Sequence, residues 1–296
     1  MTAMRWTRSP ALVAVFVVVD VVVLVLAYLA TRQNDALPAA GDTADGPVTR
    51  VGPTIVGPLS LATAPSGVLL RATRGSCDER APSPARVWVA PAYKAPLARV
   101  SVPGLVEVLG VTATDDRLTV VGADRSCRTH GYVSTDNGKE WSRTGVPRTV
   151  WWLDLDTTAT KVHGPVDGGV VNIDCNPVGV STIARGQRAL VSCAEFNVVD
   201  QPRADDLPSV TYGVDGPVAA TMSNGKPLVL ATSDRCLASL RRVTSQAGTR
   251  QVACLGNDGA PLGLAVSGKR VFTQVGQRLA YSTDGGRSFD DYPGGA

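Results

Sequence analysis

Residues 262–275 read Leu-Gly-Leu-Ala-Val-Ser-Gly-Lys-Arg-Val-Phe-Thr-Gln-Val: an apolar run, a Ser-Gly-Lys turn, and a second run rich in β-branched and aromatic residues. That order is the signature of a β-hairpin. The same shape recurs along the chain. It appears as LSLATA-PSG-VLLRAT from Leu59, VLGVTA-TDD-RLTVVG from Val108, VGVSTIA-RGQ-RALVSC from Val178 and VAATM-SNG-KPLVLAT from Val218. A shorter copy, WLDLDTTATKVHGP, starts at Trp152. Turn centres fall at Gly67, Asp116, Thr158, Gly186, Gly225 and Gly268, the step from Thr158 to Gly186 being the shortest. A period of about 40 residues is that of a four-stranded propeller blade. No 3.6-residue apolar pattern interrupts the runs, which argues against a βαβ protein. Residues 59–296 therefore read as an all-β propeller of about six blades, with five or seven open and a β-sandwich as the alternative.

Composition narrows the function. The chain of 296 residues has 29 Lys+Arg against 26 Asp+Glu, 2 His, 6 Cys, 30 Gly and 20 Pro, and is 44% hydrophobic. It has the apolar content for a core, which excludes disorder throughout. A net charge of +3 with no Lys/Arg run points away from nucleic acid. Two histidines and no C-x-x-C leave little from which to build a metal site, and no cofactor motif occurs.

Two turns share one spacing. Residues 134–141 read S-T-D-N-G-K-E-W and residues 282–289 read S-T-D-G-G-R-S-F. The Asp carboxylate suits the amides of a tight turn, Gly takes a positive φ, and the aromatic packs back on the sheet. Both resemble the Asp-box, or BNR repeat, of sialidase-like β-propellers, carried by Ser134, Asp136, Gly138 and Trp141, and by Ser282, Asp284, Gly286 and Phe289. Phe289 stands where the pattern has Trp. The resemblance implies rim turns between the third and fourth strands of a blade, with a structural role. Its members include sialidases and many non-catalytic propellers that bind proteins or glycans, and a non-catalytic member is expected.

The amino end sets the compartment. Residues 11–30 (ALVAVFVVVDVVVLVLAYLA) carry one charge, Asp20, and are long enough to cross a bilayer. Arg5 and Arg8 precede them, so residues 1–10 are expected in the cytoplasm and the rest outside the membrane. We read an uncleaved signal anchor; the competing reading is a signal peptide cleaved near ALPAA at 36–40. Residues 31–58, rich in Pro, Gly and Ala, form a linker. All six cysteines follow the anchor, an arrangement that suits an oxidising compartment and three disulfides. Cys175 and Cys193, like Cys236 and Cys254, lie 18 residues apart, leaving Cys77 for Cys127.

Candidate chemistry is sparse. The Arg-Ile-Pro context that opens a sialidase catalytic domain is absent, and glutamates are few: Glu79, Glu107, Glu140 and Glu195. Only Glu195 suits a pairing with a tyrosine such as Tyr212. A glycoside hydrolase needs two carboxylates across a sugar bond. Asp115-Asp116 reads as a hairpin turn and Asp205-Asp206 as a surface loop. Asp154 and Asp156 alternate in WWLDLD, so a strand would point both to one face. Trp151 could stack a sugar or a peptide. Asp154, Asp156, Trp151 and Glu195 are thus the candidate funnel contacts, with no catalytic residue assigned. The expected function is a binding module at the cell envelope, for a protein or a cell-wall glycan. The alternative is a glycan-processing hydrolase with acids in the funnel.

Overall fold

A computed structural model describes residues 59–78, 83–156, 160–165, 169–194, 196–203, 207–256 and 259–294, all within the unit Val51–Ala296. The expected anchor at 11–30, the linker at 31–58 and Glu195 lie outside the described residues, and among those described no helix is long and apolar enough to cross a membrane.

Five of the quoted repeats are the first two strands of a four-stranded antiparallel sheet. Blade 1 runs β1 (Leu59–Thr63), β2 (Leu69–Thr73), β3 (Arg86–Ala90) and β4 (Ala98–Val100). Blade 2 runs β5 (Glu107–Ala113), β6 (Leu118–Ala123), β7 (Thr129–Ser134) and β8 (Ser142–Thr144). Blade 3 has only β9 (Trp152–Leu153), β10 (Lys161–His163) and β11 (Val170–Asn172). Blade 4 comprises β12 (Pro177–Ile183), β13 (Arg188–Cys193), β14 (Asn197–Pro202) and β15 (Val210–Gly213). Blade 5 comprises β16 (Pro217–Ser223), β17 (Lys226–Ala231), β18 (Ser239–Ser245) and β19 (Gly248–Cys254). Blade 6 comprises β20 (Pro261–Ser267), β21 (Arg270–Val275), β22 (Arg278–Ser282) and β23 (Asp290–Asp291). The chain is a six-bladed all-β propeller.

Inner strands pack side by side around the axis: β1 lies beside β20 and β5, and β16 beside β12 and β20. Glycine makes that approach possible. In β5, β12, β16 and β20 the pairing register shifts at the same place, between Val108 and Gly110, Pro177 and Gly179, Pro217 and Ala219, and Pro261 and Gly263. Each is a β-bulge followed by a residue no larger than alanine. A Cβ on Gly110 would lie 2.6 Å from the Trp151 carbonyl, one on Gly179 2.9 Å from the Val218 carbonyl, and one on Gly263 2.8 Å from Leu59 Cδ2. The small residue lets the next blade sit against the strand.

Antiparallel order sorts the connections onto two faces. First-to-second and third-to-fourth connections lie on one, here the turn face; second-to-third and blade-to-blade connections lie on the other. All three disulfides, Cys77–Cys127, Cys175–Cys193 and Cys236–Cys254, lie on the second, the disulfide face. The first joins blades 1 and 2, the second the approach to blade 4 with β13, and the third the second-to-third connection of blade 5 with the end of β19. Three disulfides mark an exported, extracytoplasmic domain.

Blade 3 corrects the reading of WLDLDTTATKVHGP. The segment is a hairpin, yet β9 runs opposite to the neighbouring inner strands. Near its start, the Trp151 amide donates to Thr182 Oγ1 (2.9 Å) and its indole Nε1 to the Gly186 carbonyl (3.0 Å), both at the turn-face end of β12. Just past its end, the Asp154 carbonyl accepts from Arg74 Nη2 (3.1 Å), at the disulfide-face end of β2. By polarity, β9, β10 and β11 are the second, third and fourth strands of a blade lacking its first. The inner strands β5 and β12 consequently touch each other.

Candidate functional site

The inner strands enclose a central cavity of about 420 Å³. Its walls are backbone together with Leu, Val, Ala, Ser and Thr side chains, including the bulge residues Leu109, Val178, Val218 and Leu262. Arg74 is the one titratable side chain among the lining residues.

Arg74 organises the disulfide-face mouth. Its Nε donates to Glu107 Oε1 (2.9 Å) while Nη2 holds the Asp154 carbonyl. The other Glu107 oxygen accepts the Cys77 amide (3.1 Å), so the half of this pair that is 5% exposed is fully engaged. An ion pair this buried persists because each group keeps its partner. Beyond it, Asp154 Oδ2 bonds His163 Nε2 (2.9 Å), and the imidazole stacks on Trp152 with ring centroids 5.1 Å apart. Partial burial pushes the Asp154 carboxyl up, but the Asp156 amide and His163 together hold it below the usual carboxylate range. His130 repeats the arrangement in blade 2, bonding Asp124 Oδ2 (3.0 Å) beside Arg143. Both histidines of the chain thus lie on the disulfide face, each against an aspartate.

The sequence-derived candidates do not converge. Asp154 and Asp156 do not alternate along a strand, because β9 ends at Leu153; the Asp154 carboxylate accepts the Asp156 amide (2.9 Å) and turns the chain. Such a local side-chain bond competes with the strand ladder. Trp151 is 1% exposed, with its ring against Gly164, and packs blade 3 to blade 4. None of the three lines the cavity. Glu107 and Arg74 escaped sequence reading, since 33 residues separate them and neither stands in a motif.

The two Ser-x-Asp-x-Gly turns lie on the opposite face, between β7 and β8 and between β22 and β23. In the first, Ser134 Oγ donates to Asp136 Oδ1 (2.8 Å) and accepts the Gly138 amide (2.8 Å). Asp136 Oδ1 also accepts the Lys139 and Glu140 amides, and Trp141 Nε1 donates to the Gly138 carbonyl (3.1 Å). The second repeats this with Ser282, Asp284, Gly286 and Arg287; Phe289 has no N–H for the last bond, and Ser288 Oγ donates to Asp284 instead (2.7 Å). Amide and hydroxyl donors hold both aspartates below their ordinary range, the Glu140 amide leading at Asp136 and the Ser288 hydroxyl at Asp284. Each turn grips the preceding blade: a Cβ on Gly138 would press Val89, and one on Gly286 would press Leu240.

No protein-family model and no curated protein matches the chain. Solved structures share its fold at low identity. An inactive variant of virginiamycin B lyase from Staphylococcus aureus, with quinupristin, is 10% identical with a TM-score of 0.49, covering 82% of this chain and 86% of that one. A nidogen/laminin complex contains a chain 12% identical, TM-score 0.49, over 79% and 92%. A variant of AofleA from Arthrobotrys oligospora is 9% identical, TM-score 0.49, over 79% and 86%. The likeness is one of fold alone.

Proposed function

We propose that the chain is an extracytoplasmic binding module of the cell envelope, tethered by residues 11–30 through the linker 31–58, that takes a protein or cell-wall glycan on its disulfide face. The observation that supports this reading is the cavity wall, which presents no carboxylate among the described residues. Among the described residues, the acids beside the cavity mouth are committed to structure: Glu107 to Arg74 and Cys77, Asp154 to His163 and Asp156. A hydrolase needs two acids turned toward substrate. The turns at 134–141 and 282–289 are read as Asp-boxes with a structural role.

The same face carries the partly exposed apolar side chains Phe196 (62% exposed) and Leu237 (41%), next to the Cys193 and Cys236 ends of their blades. Exposed apolar side chains beside a rigid, disulfide-braced mouth suit a binding surface.

The test is retention of envelope proteins and, separately, envelope glycans on the full chain held in lipid nanodiscs. A specific partner, lost in Phe196→Asp/Leu237→Asp with all three disulfides intact, is the expected result. A glycan retained and then shortened, with turnover abolished by Asp154→Asn, would establish the hydrolase reading instead.

A further inference from the structure

We propose that the turn face is a docking surface for a polyanionic glycan, gripped by a collar of cations around the channel mouth opposite the disulfides. The collar arises from the repeat itself. Arg188, Lys226 and Arg270 each open the second strand of a blade, and Arg117 stands immediately before one. The tips add Arg185 and Lys269. Along the sequence the hairpins that carry these bases are separated by about 40 residues from blade 4 to blade 6 and by more from blade 2 to blade 4; the propeller stacks them around one axis.

The tips are neighbours. Ser66 in the blade 1 turn donates its amide to Asp115 Oδ1 in the blade 2 turn (2.7 Å). Arg270 beside the blade 6 turn donates to the Pro65 carbonyl, and the Arg185 charge in blade 4 reaches Asp116 in blade 2. Arg188 and Arg270 are spent on structure, the former on buried Asp200, the latter on Pro65 and the Tyr93 ring. Arg117, Arg185, Lys226 and Lys269 are exposed and make no ion pair among the described residues. Asp115 and Asp116 stand on the blade 2 tip, where Asp116 faces both Arg117 and Arg185; the first-to-second turns of blades 4, 5 and 6 carry no acid of their own.

The presentation is rigid. Asn224 and Gly225 take positive φ (52° and 73°) as a two-residue hairpin turn demands. Ala184, Arg185 and Gly186 are left-handed in succession (φ 49°, 56° and 89°), and the run is locked where Gly186 accepts the Trp151 indole and fits beneath Thr149. Four cations on hairpins set around one low-dielectric opening focus a positive field. Salt screens it within about 8 Å, so only a ligand in contact with the tips feels it. A bilayer surface fits less well. Interfacial binding needs apolar insertion; of the exposed large apolar residues, Phe196 and Leu237 lie on the disulfide face, while Val170 and Leu207 border third-to-fourth connections, and none stands at the cation-bearing first-to-second tips.

The test uses the full chain in neutral phosphatidylcholine nanodiscs and fluorescent polygalacturonate oligomers, with neutral dextran as comparison. Anisotropy titrations between 50 and 200 mM salt should show polygalacturonate binding with log K falling against log salt at a slope of about −3, about 0.7 for each of four cations on a linear polyanion. Arg117→Gln/Arg185→Asn/Lys226→Gln/Lys269→Gln should weaken binding by about tenfold or more and flatten the slope. Removing four cations from the other face, Arg125→Gln/Arg128→Gln/Lys161→Gln/Arg235→Gln, should leave it unchanged. Equal weakening by both sets, equal binding of dextran, or binding only to vesicles of anionic lipid would each overturn the proposal. Should the collar variant not fold, Lys226→Gln and Lys269→Gln singly should each lower the slope by about a quarter. The proposal concerns the face opposite the Phe196 surface, so its failure leaves the binding-module reading to its own test.

Discussion

The ring of blades is interrupted twice, and the two interruptions are closed by different physics. Between blades 2 and 4 a whole inner strand is missing, and shape fills the place: the buried Trp151 and Trp152 occupy it, with backbone packed on backbone at Gly110. Between blades 6 and 1 the propeller closes without any strand exchange, since each blade is one continuous piece of chain. There, cations and aromatics do the work. Arg71 lies 4.3 Å from the Trp88 ring and reaches Gln274 across the seam, while Lys94 sits over Tyr281 and Arg270 over Tyr93. Tyr281 meets both Tyr93 and Tyr292 edge-on. A gap bounded by rigid strands demands one fitting volume. A seam bounded by long side chains tolerates adjustment.

The sharpest way to break that contrast is to empty each place in turn. Trp151→Ala removes a fully buried indole and the donor of a hydrogen bond between blades 3 and 4, leaving the Gly186 carbonyl without it. The expected loss is about 3–5 kcal/mol, the range for large aromatic deletions. Arg71→Met keeps the seam's volume and loses a cation–π contact, for about 1–2 kcal/mol. Burial lowers the Arg71 guanidinium to about 10, so giving up its charge recovers part of that loss. Urea unfolding of both variants measures the two; equal losses would mean that the seam is as shape-limited as the gap.

A finer comparison uses one added methyl group. In Gly110→Ala the new Cβ meets the Trp151 carbonyl at 2.6 Å, and backbone must move. In Gly263→Ala it meets the Leu59 side chain at 2.8 Å, which a rotamer change relieves, and the Leu59 carbonyl and Leu61 Cγ at 3.1 Å, which ask for only a few tenths of an ångström of adjustment. Overpacking costs typically about 1–3 kcal/mol. Gly110→Ala should fall in the upper half of that range and Gly263→Ala at or below its lower end, read as thermal midpoints. A reversed order would contradict the assignment of rigid gap and yielding seam.

Sequence reading succeeded where a signal is local and repeated. Five inner hairpins announced themselves through turns such as Asn224-Gly225 and Gly268, and the equal spacing of Cys175–Cys193 and Cys236–Cys254 gave two disulfides and, by remainder, the third. The count of six blades followed from the period. What failed depends on contacts between blades. The sixth hairpin looked like the others, because strand polarity leaves no mark on an alternating pattern, and only the Trp151–Gly186 and Arg74–Asp154 bonds reveal its direction. Glu107 was a scarce glutamate with no motif around it. The basic collar was hidden for the opposite reason, its members being regular in sequence and adjacent only in space.

The smallest expected effect probes the seam's polar interior. Tyr292 is 3% exposed, its hydroxyl lacks a hydrogen bond of good geometry, and burial pushes the phenol up to about 12 against a smaller opposing pull from the Lys94 backbone. A buried hydroxyl without a good partner contributes little, so Tyr292→Phe should change stability at neutral pH by less than about 1 kcal/mol. Alkali separates the two proteins. The unfolded phenol ionises near 10, while the folded one stays protonated until about 12. The stability tied to the protonated phenol is therefore complete below about 10 and lost as the pH rises through about 12. With all six cysteines paired, thiol exchange does not intrude on the measurement. Urea midpoints near pH 9 and pH 11 should fall further for the natural protein than for Tyr292→Phe, and the difference isolates this tyrosine from Tyr93 and Tyr281. Parallel falls would mean that the hydroxyl reaches solvent as the seam breathes, and that the junction of blades 6 and 1 is looser than its ring contacts imply.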